Sequence, residues 1–293
     1  MNKQIAFLGL GVMGGYMAAN LAKGGYQVKG WNRTPKRPGV KVAQDGGVEI
    51  VTSLEEAVRT ADIVLVCVGD VPDVEEVVLG KGGVTEFARS GTLVVDMSTI
   101  GTEAAKGIGA ALHEKQIRFL DAPISGGDVG AKLGTLTIMV GGEEDDFAEC
   151  KSLFDVMGKN VHLCGPVGSG QGVKMCNQIL GAVHMVALCE AMQLAQKLNI
   201  DPHLIVEVCS TGAAGSWALA NLGEKIIQQD YEPGFAIAHM LKDLRLVKES
   251  GGARGLPGVE IAERLFKIVE ELDNGKGGEQ GTQGMIRAYL DEA

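Results

Sequence analysis

Lys174 and Asn177 stand at i and i+3 in the stretch Gly168-Ser169-Gly170-Gln171-Gly172-Val173-Lys174-Met175-Cys176-Asn177, so they share one helix face. Ser169 suits the N-cap of that helix. A lysine in so apolar a helix either carries its ammonium out to the surface or is held in a site. Held in a cleft between domains, its pKa would fall toward neutrality. It could then give a proton to a carbonyl oxygen or take one from an alcohol, with Asn177 orienting the same oxygen. A second segment, Asp121-Ala122-Pro123-Ile124-Ser125-Gly126-Gly127, places a hydroxyl before two glycines. In a tight turn these can aim an O–H and successive backbone N–H groups into one concavity, a nest for carboxylate or phosphate. The same residues also make an ordinary turn. A third segment, His239-Met240-Leu241-Lys242-Asp243-Leu244, holds a Lys-Asp pair, which by itself is a common helix-surface pattern.

The elements that position these groups begin at the N-terminus. The apolar run Ile5-Ala6-Phe7-Leu8 leads into Gly9-Leu10-Gly11-Val12-Met13-Gly14, and Met13, Met17 and Leu21 then recur at helical spacing. Gly24-Gly25 stops the helix, and a second strand ends in Asn32-Arg33-Thr34. Strand, glycine turn, helix, strand is the unit that seats a dinucleotide pyrophosphate on a helix N-terminus. Gly9 to Gly14 are therefore the cofactor-binding candidates. The end of the second strand bears on which dinucleotide is bound, because NAD-binding versions usually place Asp or Glu there for the ribose 2′-hydroxyl. Here the position is Asn32, followed by Arg33, Thr34, Lys36 and Arg37. A guanidinium can pair with a 2′-phosphate that a carboxylate would repel, so the pattern favours NADP(H) over NAD(H). The alternative is a solvated basic loop.

Length suggests two domains for the 293 residues. The first half alternates strand-like segments (Ile5–Leu8, Tyr26–Trp31, Ile63–Val68, Leu93–Asp96, Arg118–Leu120, Thr135–Val140, Val161–Leu163) with helical ones, including an acidic helix near Glu143–Met157. That alternation is the pattern of an α/β Rossmann-type, doubly wound parallel sheet over residues 1–164. After Cys164 strands give way to helical segments at about 169–197, 202–211, 217–229, 236–250, 257–272 and 282–290, with a mobile loop at Asn274–Gly278. Residues 165–293 thus read as an all-α domain for substrate and oligomer contacts, joined through the long helix at about 169–197. That helix is apolar on more than one face, which predicts burial on all sides, between domains or between subunits.

Net charge of −10 argues against nucleic acid or an anionic membrane as the main partner, and makes the cluster Arg33, Lys36, Arg37, Lys41 a local phosphate site. Six cysteines without zinc spacing read as buried, reduced thiols, and no metal-ligand cluster is apparent. The start enters a strand at once, leaving no room for a signal peptide. The apolar run Ile179–Cys189 is too short to span a bilayer. A cytoplasmic protein is expected, as a homodimer or homotetramer.

Phe7-Leu8-Gly9-Leu10-Gly11-Val12-Met13-Gly14 with Met17-Ala18-Ala19-Asn20-Leu21 resembles the opening signature of the β-hydroxyacid dehydrogenase family. Asp121 to Gly127, Gly168 to Asn177 and Lys242-Asp243 match its remaining motifs in order, over nearly the whole chain. The family includes 3-hydroxyisobutyrate dehydrogenases, tartronate semialdehyde reductases and glyoxylate/succinic semialdehyde reductases, and the last are the best match. The resemblance implies a dehydrogenase or reductase acting on CH–OH groups, with Lys174 as catalytic acid in reduction and base in oxidation. It implies that Ser125, Gly126 and Gly127 hold a substrate carboxylate and that Asn177 assists at the reacting oxygen. Thr99 and Lys242 match cofactor contacts, Phe235 a pocket residue, and Asp243 a support for the lysines. Reduction of glyoxylate or succinic semialdehyde is the expected activity. A 3-hydroxyisobutyrate or serine-type dehydrogenase is the nearest alternative. A non-catalytic NADPH-binding protein of this fold would lack the lysine that is present here.

Overall fold

The computed structural model describes residues 3–250 and 255–290. It divides into two compact units, residues 1–174 and 175–293.

The first unit is built on nine strands: β1 (Gln4–Leu8), β2 (Gln27–Trp31), β3 (Glu49–Ile50), β4 (Ile63–Val66), β5 (Leu93–Asp96), β6 (Arg118–Asp121), β7 (Ile124–Ser125), β8 (Leu136–Gly141) and β9 (Gly158–Gly165). Their order is β3-β2-β1-β4-β5-β6-β8-β7, with β9 paired to β8. From β3 to β6 every pairing is parallel, the 3-2-1-4-5-6 arrangement of a dinucleotide-binding sheet. The edge departs from that plan, because β8 runs antiparallel to β6 and β7. The central strands are nearly continuous apolar runs because both faces are covered. Ile5, Phe7, Ile63, Leu65, Leu93 and Val95 feed one core, while Ala6, Leu8, Val64, Val66 and Val94 feed the other. All seven expected strands are present, with no end moved by more than three residues. β3 and β7 were not expected, since two residues carry no readable alternation.

The two units divide inside the helix Ser169–Lys197, whose first turn is tied to the sheet. Gly168 N–H and Gln171 N–H donate to the two carboxylate oxygens of Asp121, at 2.6 and 2.8 Å.

Among the described residues of the second unit there is no strand, only an isolated bridge between Ala236 and Gly281. Its helices Pro202–Thr211, Trp217–Ile227, Ile237–Glu249 and Pro257–Gly275 match the expected segments. Asp201 and Ser216 cap the first two through backbone N–H groups of His203 and Leu219. Within one chain the long helix is buried along one face only. It buries Ala182, Met185, Cys189, Met192 and Ala195 but leaves Leu180 and Leu194 58% and 56% exposed. One chain therefore covers only one of its two apolar faces. By length and composition this helix could cross a membrane, contrary to the short run expected, because small and uncharged polar residues extend its apolar window.

The expected mobile loop at 274–278 is instead anchored. Asp273 and Asn274 turn the chain with φ of 56° and 59°, and Asp273 accepts from Nη1 and Nη2 of Arg287, at 2.6 and 3.1 Å. Gly277 and Gly278 are buried in a 3-10 turn, where a Cβ at Gly277 would stand 1.7 Å from the Val269 carbonyl oxygen. The last expected α-helix is a 3-10 helix, Thr282–Tyr289, pinned by Gln283 Nε2 donating to the carbonyls of Asp230 and Glu232.

Candidate active site

At the carboxyl end of β1 the three loop glycines do three different jobs. Gly9 adopts φ +96°, and a Cβ there would stand 2.2 Å from the Cys67 carbonyl oxygen at the end of the neighbouring β4. A Cβ at Gly14 would stand 1.9 Å from the Gly9 carbonyl oxygen, so the third glycine lets the helix Val12–Lys23 close on the turn. Gly11 is different: nothing lies within 4 Å of where its Cβ would be. It is also the N-cap of that helix, and no side chain caps the first turn. The first-turn amides of a helix have no partner within it. Leu10 to Gly14, with Val12 and Met13 in the first turn, could hold a pyrophosphate.

Asn32 is held by two hydrogen bonds. Its Oδ1 accepts from Leu10 N–H at 2.8 Å and its Nδ2 donates to the Thr34 carbonyl at 2.7 Å. The residue therefore fixes both the glycine loop and the basic turn. Arg33 is exposed and already engaged with Asp73 and Glu76, which hold its guanidinium above the ordinary arginine pKa, mainly through the Asp73 hydrogen bond. Lys41, read from sequence as part of the phosphate cluster, pairs with Asp45 one helical turn away. Acidic side chains thus meet two members of the basic cluster, Asp73 and Glu76 reaching Arg33 from a distant segment and Asp45 reaching Lys41 from its own helix. Thr34, Lys36 and Arg37 remain exposed.

Gln171 was missed as an organiser, although it lies inside the segment the sequence singled out. Its Oε1 accepts from Ile100 N–H and Gly101 N–H at 3.0 and 3.1 Å, and its Nε2 donates to the Ser98 carbonyl at 2.8 Å. The loop carrying Thr99 is thereby clamped to the first turn of the helix Ser169–Lys197. Ser98 Oγ in turn accepts from Val68 N–H at 2.9 Å, linking the ends of β4 and β5. Burial pushes the Asp121 carboxyl up, while the amides of Gly168 and Gln171 pull the other way.

Lys174 follows Gln171 on this pinned turn and is only 5% exposed. The surface reading of that lysine fails. Ser125 ends β7, with its register fixed against Thr137 of β8. Gly126 and Gly127 then take φ of 135° and 64°, backbone that side chains rarely adopt, as the chain enters the helix Gly127–Leu133.

In the second unit the candidates are joined by side chains. Asn177 Nδ2 donates to Gln178 Oε1 at 2.9 Å, Gln178 Nε2 donates to Asp243 Oδ2 at 2.5 Å, and Lys242 Nζ pairs with Asp243 Oδ1 at 2.8 Å. Gln178 and Asp243 are buried. Phe235 lies half-buried just before the helix Ile237–Glu249, its ring centroid 5.9 Å from that of His239. Gln178 carried no signal of its own, because its role appears only once the two helices pack. The thiols differ from expectation: Cys150 and Cys189 are buried and pushed up to about 12, but Cys176, two residues beyond Lys174, is exposed.

Comparison with known proteins gives matches over both units. Residues 4–165 match the NAD binding domain of 6-phosphogluconate dehydrogenase, and residues 168–289 match the NAD-binding domain of NADP-dependent 3-hydroxyisobutyrate dehydrogenase. An uncharacterized oxidoreductase of Synechocystis is 51% identical over 98% of this chain and 98% of its own. The 2-hydroxy-3-oxopropionate reductase of Escherichia coli is 38% identical over 90% of each. Among solved structures, a Mycobacterium tuberculosis 3-hydroxyisobutyrate dehydrogenase with L-serine superposes with a TM-score of 0.88 at 31% identity, covering 99% of this chain and 100% of that one.

Proposed function

The chain belongs to the β-hydroxyacid dehydrogenase family, and from that premise we propose that it is an NADP(H)-dependent reductase of small aldehyde acids such as glyoxylate and succinic semialdehyde. As a member it is an NAD(P)-dependent oxidoreductase acting at a hydroxyl-bearing or carbonyl carbon. When bound, the nicotinamide supplies or accepts the hydride. The first-turn amides after Gly11 receive the pyrophosphate, and Arg33 takes the 2′-phosphate. Ser125 Oγ and the backbone of Gly126 and Gly127 hold the substrate carboxylate. Lys174 gives its proton to the carbonyl oxygen in reduction and recovers it from the alcohol in oxidation, while Asn177 orients that oxygen. Phe235 bounds the pocket, and Asp243 orients Lys242 through their ion pair. Placing a cation where oxyanion charge develops is usually the largest catalytic contribution, and removing one such group costs about 10²–10³ in rate.

The observation that carries this reading is the buried ammonium of Lys174, on a turn pinned to Asp121 and to the Thr99 loop. The purified protein is expected to oxidise NADPH with succinic semialdehyde or glyoxylate, and Lys174→Ala to lose about 10²–10³ of that rate. Equal rates in the two proteins would refute the assignment. A 3-hydroxyisobutyrate or serine-type dehydrogenase is the second reading, favoured by the M. tuberculosis relative solved with L-serine. Comparing 3-hydroxyisobutyrate, serine and 4-hydroxybutyrate in the oxidative direction separates the two. A homodimer or homotetramer covering the open leucines Leu180 and Leu194 belongs to the same proposal, as does a cytoplasmic location. Light scattering on the purified protein tests the first, and cell fractionation the second.

A further inference from the structure

Arg33 Nη1 donates to Glu76 Oε2 at 2.8 Å, and its Nη2 donates to Asp73 Oδ1 at 2.9 Å. Both carboxylates stand on the helix Val71–Leu79, which begins with a capping box between Asp70 and Asp73. Asp73 Oδ2 accepts from Asp70 N–H at 3.2 Å, so that carboxylate is fixed in place by the start of its own helix. At the end of β2, then, one guanidinium faces two anions, and Lys41 is occupied by Asp45. A bound 2′-phosphate brings a charge of about −1.5 to −2 and asks Arg33 for the same two N–H groups. It must displace both carboxylates from the guanidinium and then sit beside them. A ribose 2′-hydroxyl carries no charge and demands neither.

We infer that Asp73 and Glu76 are specificity-determining residues that compete with the cofactor 2′-phosphate for Arg33 and so set the NADPH-to-NADH preference. The inference rests on the reading of Arg33 as the 2′-phosphate residue. Removing the carboxylates strengthens NADPH and leaves NADH alone, because only the phosphate needs the arginine they hold.

The test is direct binding, with NADPH and NADH each titrated by nicotinamide fluorescence into the whole protein without substrate. Glu76 is exposed, so Glu76→Gln leaves the fold intact. It is expected to tighten NADPH about two- to fivefold, the scale of one exposed ion pair. Asp73→Asn combined with Glu76→Gln is expected to tighten NADPH by about tenfold, with NADH affinity unchanged throughout. Arg33→Ala is expected to weaken NADPH in every background and to erase the effect of the carboxylate changes. If Arg33→Ala weakens NADPH but Glu76→Gln leaves it unchanged, or tightens both cofactors equally, the competition is overturned. If Arg33→Ala leaves NADPH binding untouched, the phosphate reading of Arg33 falls, and the competition falls with it.

Discussion

In residues 1–174 the candidate site is held through main-chain groups, packed against carbonyl oxygens or bonded to single side chains, whereas in residues 175–293 it is held by side chains reaching one another. Gly9 and Gly14 are locked by carbonyl oxygens that leave no room for a Cβ. The Thr99 loop hangs from Gln171 by its own backbone, and Ser125 is set by sheet register. Asn177, Gln178, Asp243 and Lys242 instead form a side-chain relay between two helices. Backbone contacts of the first kind are intolerant of any added atom. A relay of the second kind fails by leaving a buried polar group without its partner.

Gly14→Ala breaks the comparison most severely. A methyl 1.9 Å from the Gly9 carbonyl oxygen forces the helix off the turn, so loss of NADPH binding and a lower melting temperature are expected together. Gly11→Ala sharpens the point, because its φ of −72° suits alanine and the space around it is open. It is expected to melt like the parent yet bind NADPH at least about tenfold more weakly, since a methyl standing toward the phosphates blocks their approach. Equal NADPH affinity in Gly11→Ala and parent, by fluorescence titration, would remove the pyrophosphate from this loop.

Gln178→Leu probes the relay. It strips the buried Asp243 carboxylate of one donor and is expected to cost about 1–3 kcal/mol of stability in denaturant unfolding. An unchanged midpoint would show that the relay carries no such load.

The smallest effect concerns acid. Arg118 hydrogen-bonds Glu149 and holds its carboxyl down to about 2 from an ordinary 4.5. The folded pKa is depressed, so the stabilisation is complete above the unfolded value. It is lost as pH falls from about 4.5 toward 2. Because the pair is partly solvated, about 1 kcal/mol is at stake. Glu149→Gln is expected to lose less stability than the parent between pH 5 and pH 3, and parallel losses in the two proteins would contradict it.

The same contrast explains what was legible. Steric glycines and continuous apolar strands are written in consecutive residues, so the sheet, the glycine loop and the Ser125–Gly127 turn could be read directly. The ion pairs of Arg33 with Asp73 and Glu76, and the bond from Gln178 to Asp243, join residues far apart in sequence. No local spacing announces them. The 3-10 segment Thr282–Tyr289 was read as an α-helix because its apolar spacing suits either period. The anchored turn at 273–279 looked mobile because glycine composition says nothing of burial.

A crystal structure with NADPH and a short dicarboxylate such as succinate tests the proposed chemistry at once. The expected density places the 2′-phosphate on Arg33, one carboxylate on Ser125 and the Gly126-Gly127 amides, and Lys174 Nζ within hydrogen-bond reach of the ligand oxygen that faces the nicotinamide. A ligand bound there with the Lys174 ammonium turned away from it, or a nicotinamide seated far from that amine, would contradict the assignment.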